Sequence, residues 1–239
     1  MKTVVLIPTF NESENVVPLL DGVARLGIEG LEAVVIDDAS PDGTAQRVRE
    51  YAQRHPFASV IERDGPKGRG HAGREGYRVA LARGAERVVE MDGDLSHDPR
   101  YIPSLLAAAE QADVVLGSRF VSGGRDTDRA LWRRWLTLAA NAFIRVVFGV
   151  SVRDANSGFR CFRREALETI DPETLASGGP AIVQEVVFRA DRRGLRLAEV
   201  PVVFVEREHG DSKLSWRELW QGYVAVLRLR ADELRGRRR

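Results

Sequence analysis

Five short runs of aliphatic and β-branched residues punctuate the first half of the chain, and each passes through a polar turn toward a helical pattern. TVVLIPT leads to a helix from about Glu12, EAVVIDDAS to one from Gly43, and ASVIERD to one from Gly70; RVVEMDGD is followed by a helix after Pro99, and DVVLGSR closes the series. Runs this continuous do not alternate apolar with polar, so both faces of each strand are covered, and the intervening helices bring successive strands parallel. The fold class expected is α/β, a doubly wound, mostly parallel sheet with helices on both faces. A chain of 239 residues holds one such domain and an appendage, with no room for a second domain of that size.

In such a sheet the ligand site lies beyond the carboxyl ends of the strands. Three acidic stretches fall there: residues 8–12 (PTFNE), 37–42 (DDASPD) and 92–98 (DGDLSHD). Asp92 and Asp94 flank Gly93, so two carboxylates converge at a turn that a ligand can approach closely, and hard oxygen donors of this kind suit Mg²⁺ or Mn²⁺ with positions left open for phosphate. The plainer use of an Asp-rich turn is to cap the helix at Pro99, yet one cap does not need so many carboxylates. Of the acidic pair after the second run, one Asp is assigned to the turn and the cap at residues 40–44, and Asp38 to a ribose or base. Glu12 serves either as a first-turn dipole residue or as a further nucleoside contact.

Past SGGRDTD, residues 122–128, the pattern changes to a long helix over about 129–148, then DANSGFRCFRREAL, the helical AIVQEVVFRADRRG, a strand LAEVPVVFVER, and a C-terminal helix from about Ser215. This half brings the cations Arg119, Arg133, Arg134, Arg160, Arg207 and Lys213. Most arginines are solvated surface, but Arg119 ends a buried strand on the active rim, where a guanidinium fits a phosphate. Trp132 and Trp135 beside paired arginines, Trp216, Trp220 and Tyr223 on the last helix, and six arginines over residues 228–239 suit the headgroup layer of a membrane. A formal net charge of +1 implies no pull toward nucleic acid. The single Cys161 reads as a small core residue in a reducing compartment. The apolar run at residues 4–7 is too short for a signal peptide, and no stretch of about 18 apolar residues encodes a membrane span.

KGRGHAG, residues 67–73, has the GxGxxG spacing of dinucleotide-binding folds, with Asp92 following at about the expected distance. That fingerprint belongs after the first strand of the nucleotide half, and here the first turn, PTFNE, has no glycine. The motif is taken as a decoy, and a dehydrogenase is set aside.

IPTFNESENV, VIDDASPDGT, KGRGHAGREGY, MDGDLSHDP, GSRFVSGG, SGFRCFRREAL and VFVEREHGDSKLS, in unbroken order over roughly residues 3–230, closely resemble the family-2 glycosyltransferases of the GT-A fold. The last-named features, with DLSHDP and GSRFVSGG, resemble the polyprenol-phosphate mannosyltransferases within that family. The resemblance implies one glycosyltransferase domain over residues 1–239: a nucleotide-sugar-binding half, 1–120, and an acceptor-binding half, 121–239, ending in a membrane-associating amphipathic helix. It implies that Pro8, Phe10, Glu12, Ile36 and Asp38 line the nucleoside pocket; that Asp92, Gly93 and Asp94 hold the diphosphate through Mg²⁺ or Mn²⁺, with Asp94 and Ser96 as metal ligands; that Arg119, Arg207 and Lys213 neutralise donor and acceptor phosphates; and that Arg119, Arg133 and Thr137 meet the lipid phosphate. Asp94 and Arg119 carry the catalytic roles. Phe10 stands where this branch usually has tyrosine, and Ser96 where some relatives have glutamine.

The implied reaction is inverting transfer of a sugar, mannose from GDP-mannose, to a polyprenyl monophosphate. The enzyme would sit peripherally at the cytoplasmic face of a membrane, held by its own helices and arginine tail or with a membrane-protein partner. Two alternatives stand beside it. A family-2 transferase using a UDP-sugar or a saccharide acceptor would need a carboxylate base, from the neighbourhood of Asp94 or from Glu185. A catalytically silent nucleotide-binding scaffold would bind without turnover.

Overall fold

The structure is a computed structural model that describes residues 1–126 and 131–205 together with 224, 227, 228, 230 and 231; over 131–136 the backbone alone is described. The strands are β1 (Thr3–Thr9), β2 (Leu31–Asp37), β3 (Ala58–Glu62), β4 (Arg87–Glu90), β5 (Val114–Ser118), β6 (Arg125–Asp126), β7 (Arg160–Arg163), β8 (Leu197–Pro201) and β9 (Val203–Phe204). The helices are α1 (Val16–Ala24), α2 (Thr44–Ala52), α3 (Arg69–Ala82), α4 (Ile102–Ala108), α5 (Leu131–Phe148), α6 (Arg164–Ile170) and α7 (Ile182–Arg192), with 3-10 turns at Pro99–Tyr101 and Pro172–Thr174.

Seven strands form one sheet in the order β3-β2-β1-β4-β7-β5-β8. All neighbours run parallel except β7, which is antiparallel to both β4 and β5. The doubly wound, mostly parallel sheet is as expected, with helices on both faces. Along β1, Val4 and Leu6 face one core with α3, α5, α6 and α7, while Val5 and Ile7 face the other with α1, α2 and α4. This strict two-residue alternation between two apolar layers is why the run is hydrophobic throughout.

Three elements differ from the sequence reading. The first helix begins at Val16 because Asn11 takes a left-handed φ of 57° and residues 12–15 turn before the helix starts, Asn15 and Val16 both donating to the Glu12 carbonyl at 3.0 and 2.9 Å. LAEVPVVFVER is two strands. The chain leaves β5 after Val202, whose amide still donates to the Ser118 carbonyl at 3.1 Å, and β9 pairs in parallel with β6 as a separate two-stranded ribbon. RCFR, read only as part of a loop and helix, is the antiparallel strand β7 at the centre of the sheet. Residues 160–163 and 197–201, from the second half of the chain, thereby complete the sheet that the first half begins. Of the expected C-terminal helix only residues 224, 227, 228, 230 and 231 are described, and these are helical; Arg207, Lys213, Trp216, Trp220, Tyr223 and the side chains of Trp132, Arg133, Arg134 and Trp135 lie outside the described residues. Among the described residues no helix is long and apolar enough to cross a membrane.

Candidate active site

The carboxyl ends of β1, β2 and β4 form a rim where the backbone is held in sparsely populated conformations. Asn11, Ala39 and Leu95 take positive φ of 57°, 50° and 64°, three of the four such non-glycine residues among those described. Strain of this kind persists where surrounding bonds over-determine it. Those bonds come from the acidic residues. Asp37 accepts from the Thr9 hydroxyl at 2.9 Å, the Ser40 amide at 2.8 Å and the Ser40 hydroxyl at 2.6 Å. Asp42 accepts from the Ser13 and Thr44 amides, each at 3.0 Å, and from the Thr44 hydroxyl at 2.6 Å. Two carboxylates are thus spent on the turn before α2 and on tying it to the turn after β1. Asp38 is the one directed elsewhere: it pairs with Arg63 and accepts the Gly68 amide at 2.7 Å.

Beside Asp38, the ammonium of Lys67 lies 4.8 Å from the centre of the Phe10 ring and donates to the Ala39 carbonyl at 3.2 Å. Pro8, next to last in β1, lies opposite Ile36. The Ile36 side chain itself is wholly buried in the core beneath α3. Glu12 anchors its loop, its amide donating to the Thr44 hydroxyl at 3.0 Å and its carboxylate accepting from the Asn15 side chain at 2.8 Å.

In the loop after β4 the plain capping role falls to Asp98, which accepts from the Arg100 amide at 2.9 Å at the turn entered by Pro99. Asp92 and Asp94 are therefore not needed as caps. The buried Asp94 carboxylate accepts from the Ser96 amide at 3.1 Å and hydroxyl at 2.6 Å, so the two expected metal ligands share one edge. Gly93 passes so close to β1 that a Cβ there would lie 2.8 Å from the Thr9 side chain. Asp92 is paired with Arg69 from the start of α3, and its amide donates to Nδ1 of His97 at 3.0 Å. His97 is buried and stacked on Phe159, with ring centres 5.1 Å apart. Burial pushes the imidazole pKa down, against the pull of the Asp92 and Asp94 carboxylates. Neutral, with Nδ1 as acceptor, it carries its proton on Nε2 and fixes the backbone of the acidic turn.

On the other side of the sheet's centre, Arg119 follows β5 and is gripped by the fully buried Asp154, with Nε to Oδ2 at 2.7 Å, Nη2 to Oδ1 at 2.8 Å and the Arg119 amide to Oδ2 at 3.1 Å. Phe120 and Phe204 flank the guanidinium at 5.3 and 5.2 Å. Burial alone would lower the Arg119 pKa, but the Asp154 carboxylate outweighs it and raises the value, so the group is a fixed cation. Asp154 is itself held by Glu199, which accepts its amide at 2.9 Å, and by Asn141 of α5 at 3.4 Å. Thr137 lies one turn before Asn141, whose side-chain amide donates to the Thr137 carbonyl at 3.2 Å.

The sequence reading missed Arg69, His97 and Asp154. Arg69 and Asp154 stood inside quoted motifs, GRG and DANSG, but nothing local says that each faces a carboxylate or cation far along the chain. The GxGxxG turn has a structural explanation. The amides of Gly70 and His71 at the start of α3 donate to the Gly178 carbonyl at 3.0 and 3.3 Å, and a Cβ on Gly70 would collide with the Ser177 carbonyl. The helix N-terminus that would receive a pyrophosphate in a dehydrogenase is occupied by the chain itself. Glu185, the alternative base, is likewise committed. Fully buried, it accepts the Ala176 and Ser177 amides at 2.9 and 2.8 Å and pairs with Arg189 at 2.7 Å, holding that same loop.

A doubly wound sheet with an acidic rim and a locked arginine defines a class that comparison with known proteins makes specific. Residues 4–171 match the family model Glycosyl transferase family 2, and the chain belongs to that family of glycosyltransferases. It is 38% identical over 228 residues to the undecaprenyl-phosphate mannosyltransferase of Micrococcus luteus, covering 95% of this chain and 93% of that protein. It is 38% identical over 242 residues to the polyprenol monophosphomannose synthase of Mycolicibacterium smegmatis, covering 98% and 91%. The dolichol-phosphate mannosyltransferase of Pyrococcus furiosus is 32% identical over 234 residues, 96% of this chain and 64% of that one. Among solved structures, glucosyl-3-phosphoglycerate synthase from Mycobacterium tuberculosis, crystallised with Mn²⁺, uridine diphosphate and glucosyl-3-phosphoglycerate, superimposes with a TM-score of 0.70 at 22% identity over 96% of this chain and 79% of that one. At that identity the likeness establishes the GT-A fold.

Proposed function

We propose that the protein transfers mannose from GDP-mannose to a polyprenyl monophosphate, with inversion at the anomeric carbon. The 38% identity to two polyprenol-type mannosyltransferases over nearly the whole chain supports the substrate class. The observation that carries the chemistry is the rim itself. It sets the Asp92–Asp94 turn and a buried, carboxylate-locked Arg119 on one edge, while Glu185, one of the two places a base was expected, already accepts three donors.

A phosphate monoester acceptor needs no strong base. Its second pKa is about 6, so at neutral pH it is already a nucleophilic dianion. The protein's task is to bring two anions together and to stabilise the leaving nucleoside diphosphate, which is positional and electrostatic catalysis. Arg119, with Nε and Nη2 engaged by Asp154, turns its remaining N–H donors to the acceptor phosphate; Arg133 and Thr137 of α5 complete that site. Arg207 and Lys213 balance the charge of donor and acceptor. Pro8, Phe10, Glu12 and Asp38, with the backbone at Ile36, form the nucleoside pocket.

The donor set fits a divalent cation: Asp94 and Ser96 offer only hard oxygen atoms. Among the described residues no three His, Cys, Asp or Glu side chains gather to hold a metal on their own. That suits an ion whose coordination is completed by phosphate oxygens. Asp94 with Ser96 would hold Mg²⁺ or Mn²⁺ against the diphosphate, where the ion supplies charge neutralisation of the leaving group. The reaction takes place peripherally at the cytoplasmic face of a membrane, through the Trp- and Arg-rich stretches of the chain or with a membrane-protein partner. NMR of the product made from α-linked GDP-mannose tests the mechanism. A β-linked phosphomannose is expected, and a retained α linkage contradicts a single displacement.

A further inference from the structure

The strand pair β4 and β7 carries charge into the core that packing does not require. Glu90 and Arg160 lie directly opposite in register, and Arg160 is the largest wholly buried side chain among the described residues. Its Nη2 meets Glu90 Oε2 at 2.5 Å and the Tyr77 hydroxyl at 3.0 Å; Tyr77 in turn donates to the same Glu90 oxygen at 2.6 Å, and Arg160 Nη1 donates to the Val183 carbonyl at 3.1 Å. Buried ion pairs are often no more stabilising than apolar residues of similar volume, so this one invites a functional account.

The charges continue toward the rim. The second Glu90 oxygen, Oε1, lies 3.5 Å from Arg69 Nη2, and Arg69 Nη1 donates to Asp92. Arg160, Glu90, Arg69 and Asp92 thus alternate in sign from the core to the acidic turn. Gly158 leaves room for them: a Cβ there would overlap the Arg69 guanidinium and lie 3.3 Å from Asp92 Oδ2.

We infer that Arg69 is a positioning residue for the proposed transfer, aimed by the buried Glu90, Arg160 and Tyr77 and acting on Asp92. The inference rests on the reading of the rim as a donor site and adds a division of labour within it. Asp92 is presented as a neutralised, oriented acceptor group, and Asp94 with Ser96 is left to face the cation. Arg69 is then a resident counter-charge that a divalent ion must coexist with.

Four variants test this: Arg69→Met, Arg69→Lys, Glu90→Gln, and Arg69→Met with Glu90→Gln. Mn²⁺ binding is followed by electron paramagnetic resonance, independently of turnover, alongside mannosyl transfer and thermal unfolding. Removing the Arg69 charge frees Asp92, so Arg69→Met binds Mn²⁺ about three- to tenfold tighter while losing about 30-fold or more in kcat. Arg69→Lys keeps a charge but not the fork and recovers part of both properties. Glu90→Gln alone lowers kcat by about tenfold, and in the Arg69→Met background it adds nothing, as residues acting through one path require. Unchanged Mn²⁺ affinity in Arg69→Met, or losses that multiply in the double variant and track its melting temperature, overturns the inference. If wild-type protein transfers no mannose while Mn²⁺ binding follows the expected order, the functional proposal falls and the positioning network stands.

Discussion

At the scale of single residues, the rim divides its carboxylates by the bonds each already makes. Asp37 and Asp42 are consumed by turns and Asp98 caps, while Asp38 pairs with Arg63, Asp92 with Arg69 and Asp94 with Ser96; of these, Asp94 is the one the proposed function assigns to the cation. Asp94→Ala is therefore expected to lose about 100-fold or more in kcat, well beyond the modest drop in melting temperature that follows from leaving the buried Ser96 donors without an acceptor, as steady-state assays and calorimetry will read. Asp154→Ala should behave differently. It strands a buried Arg119 without its counter-ion, which costs about 3 kcal/mol or more of stability in denaturant unfolding as well as activity. Cys161 is wholly buried and its thiol is pushed up to about 12, so at pH 8 almost none is thiolate. A thiol reagent should leave the native protein untouched and label it only in denaturant. The acidic rim residues were legible in the sequence because each follows an apolar run directly. Asp154 and Arg69 were not, because their importance lies in partners 35 and 23 positions away that only the folded sheet brings near.

At the scale of elements, the loop 176–180 and the start of α3 form one unit. Glu185 accepts two of the loop's amides, and the Gly178 carbonyl receives two amides of α3, so α3 begins where the loop holds it. Gly70→Ala should push that loop away. A loss of roughly 1–3 kcal/mol is expected from the forced shift, seen as a melting temperature lowered by about 2–4 °C per kcal/mol. Activity falls with it because Arg69 is the adjacent residue. A melting temperature equal to wild type would contradict this account of the glycine turn. The five parallel strands announced themselves by unbroken apolar runs, and α2, α3, α4 and α7 by their punctuation. β7 did not, because RCFR places two arginines in four residues of a central strand. A buried Arg160 is tolerable through Glu90, Tyr77 and the Val183 carbonyl, and the pairing with Glu90 spans 70 positions.

At the scale of the whole molecule, β7 and β8 complete the sheet begun by β1 to β5, so the acidic rim and the Arg119 side belong to one hydrogen-bonded sheet. A two-anion reaction needs such a common frame, since a shift of an ångström between the diphosphate and the acceptor phosphate would forfeit most of the positional advantage. The identity of donor and acceptor is read by incubating the protein and Mg²⁺ or Mn²⁺ with a short polyprenyl phosphate and, in parallel, GDP-mannose, UDP-glucose and UDP-N-acetylglucosamine, with the lipid phase analysed by mass spectrometry. Metal-dependent mannosyl phospholipid from GDP-mannose alone is the predicted result, whereas product from a UDP-sugar instead, or none from any donor despite nucleotide binding, contradicts it.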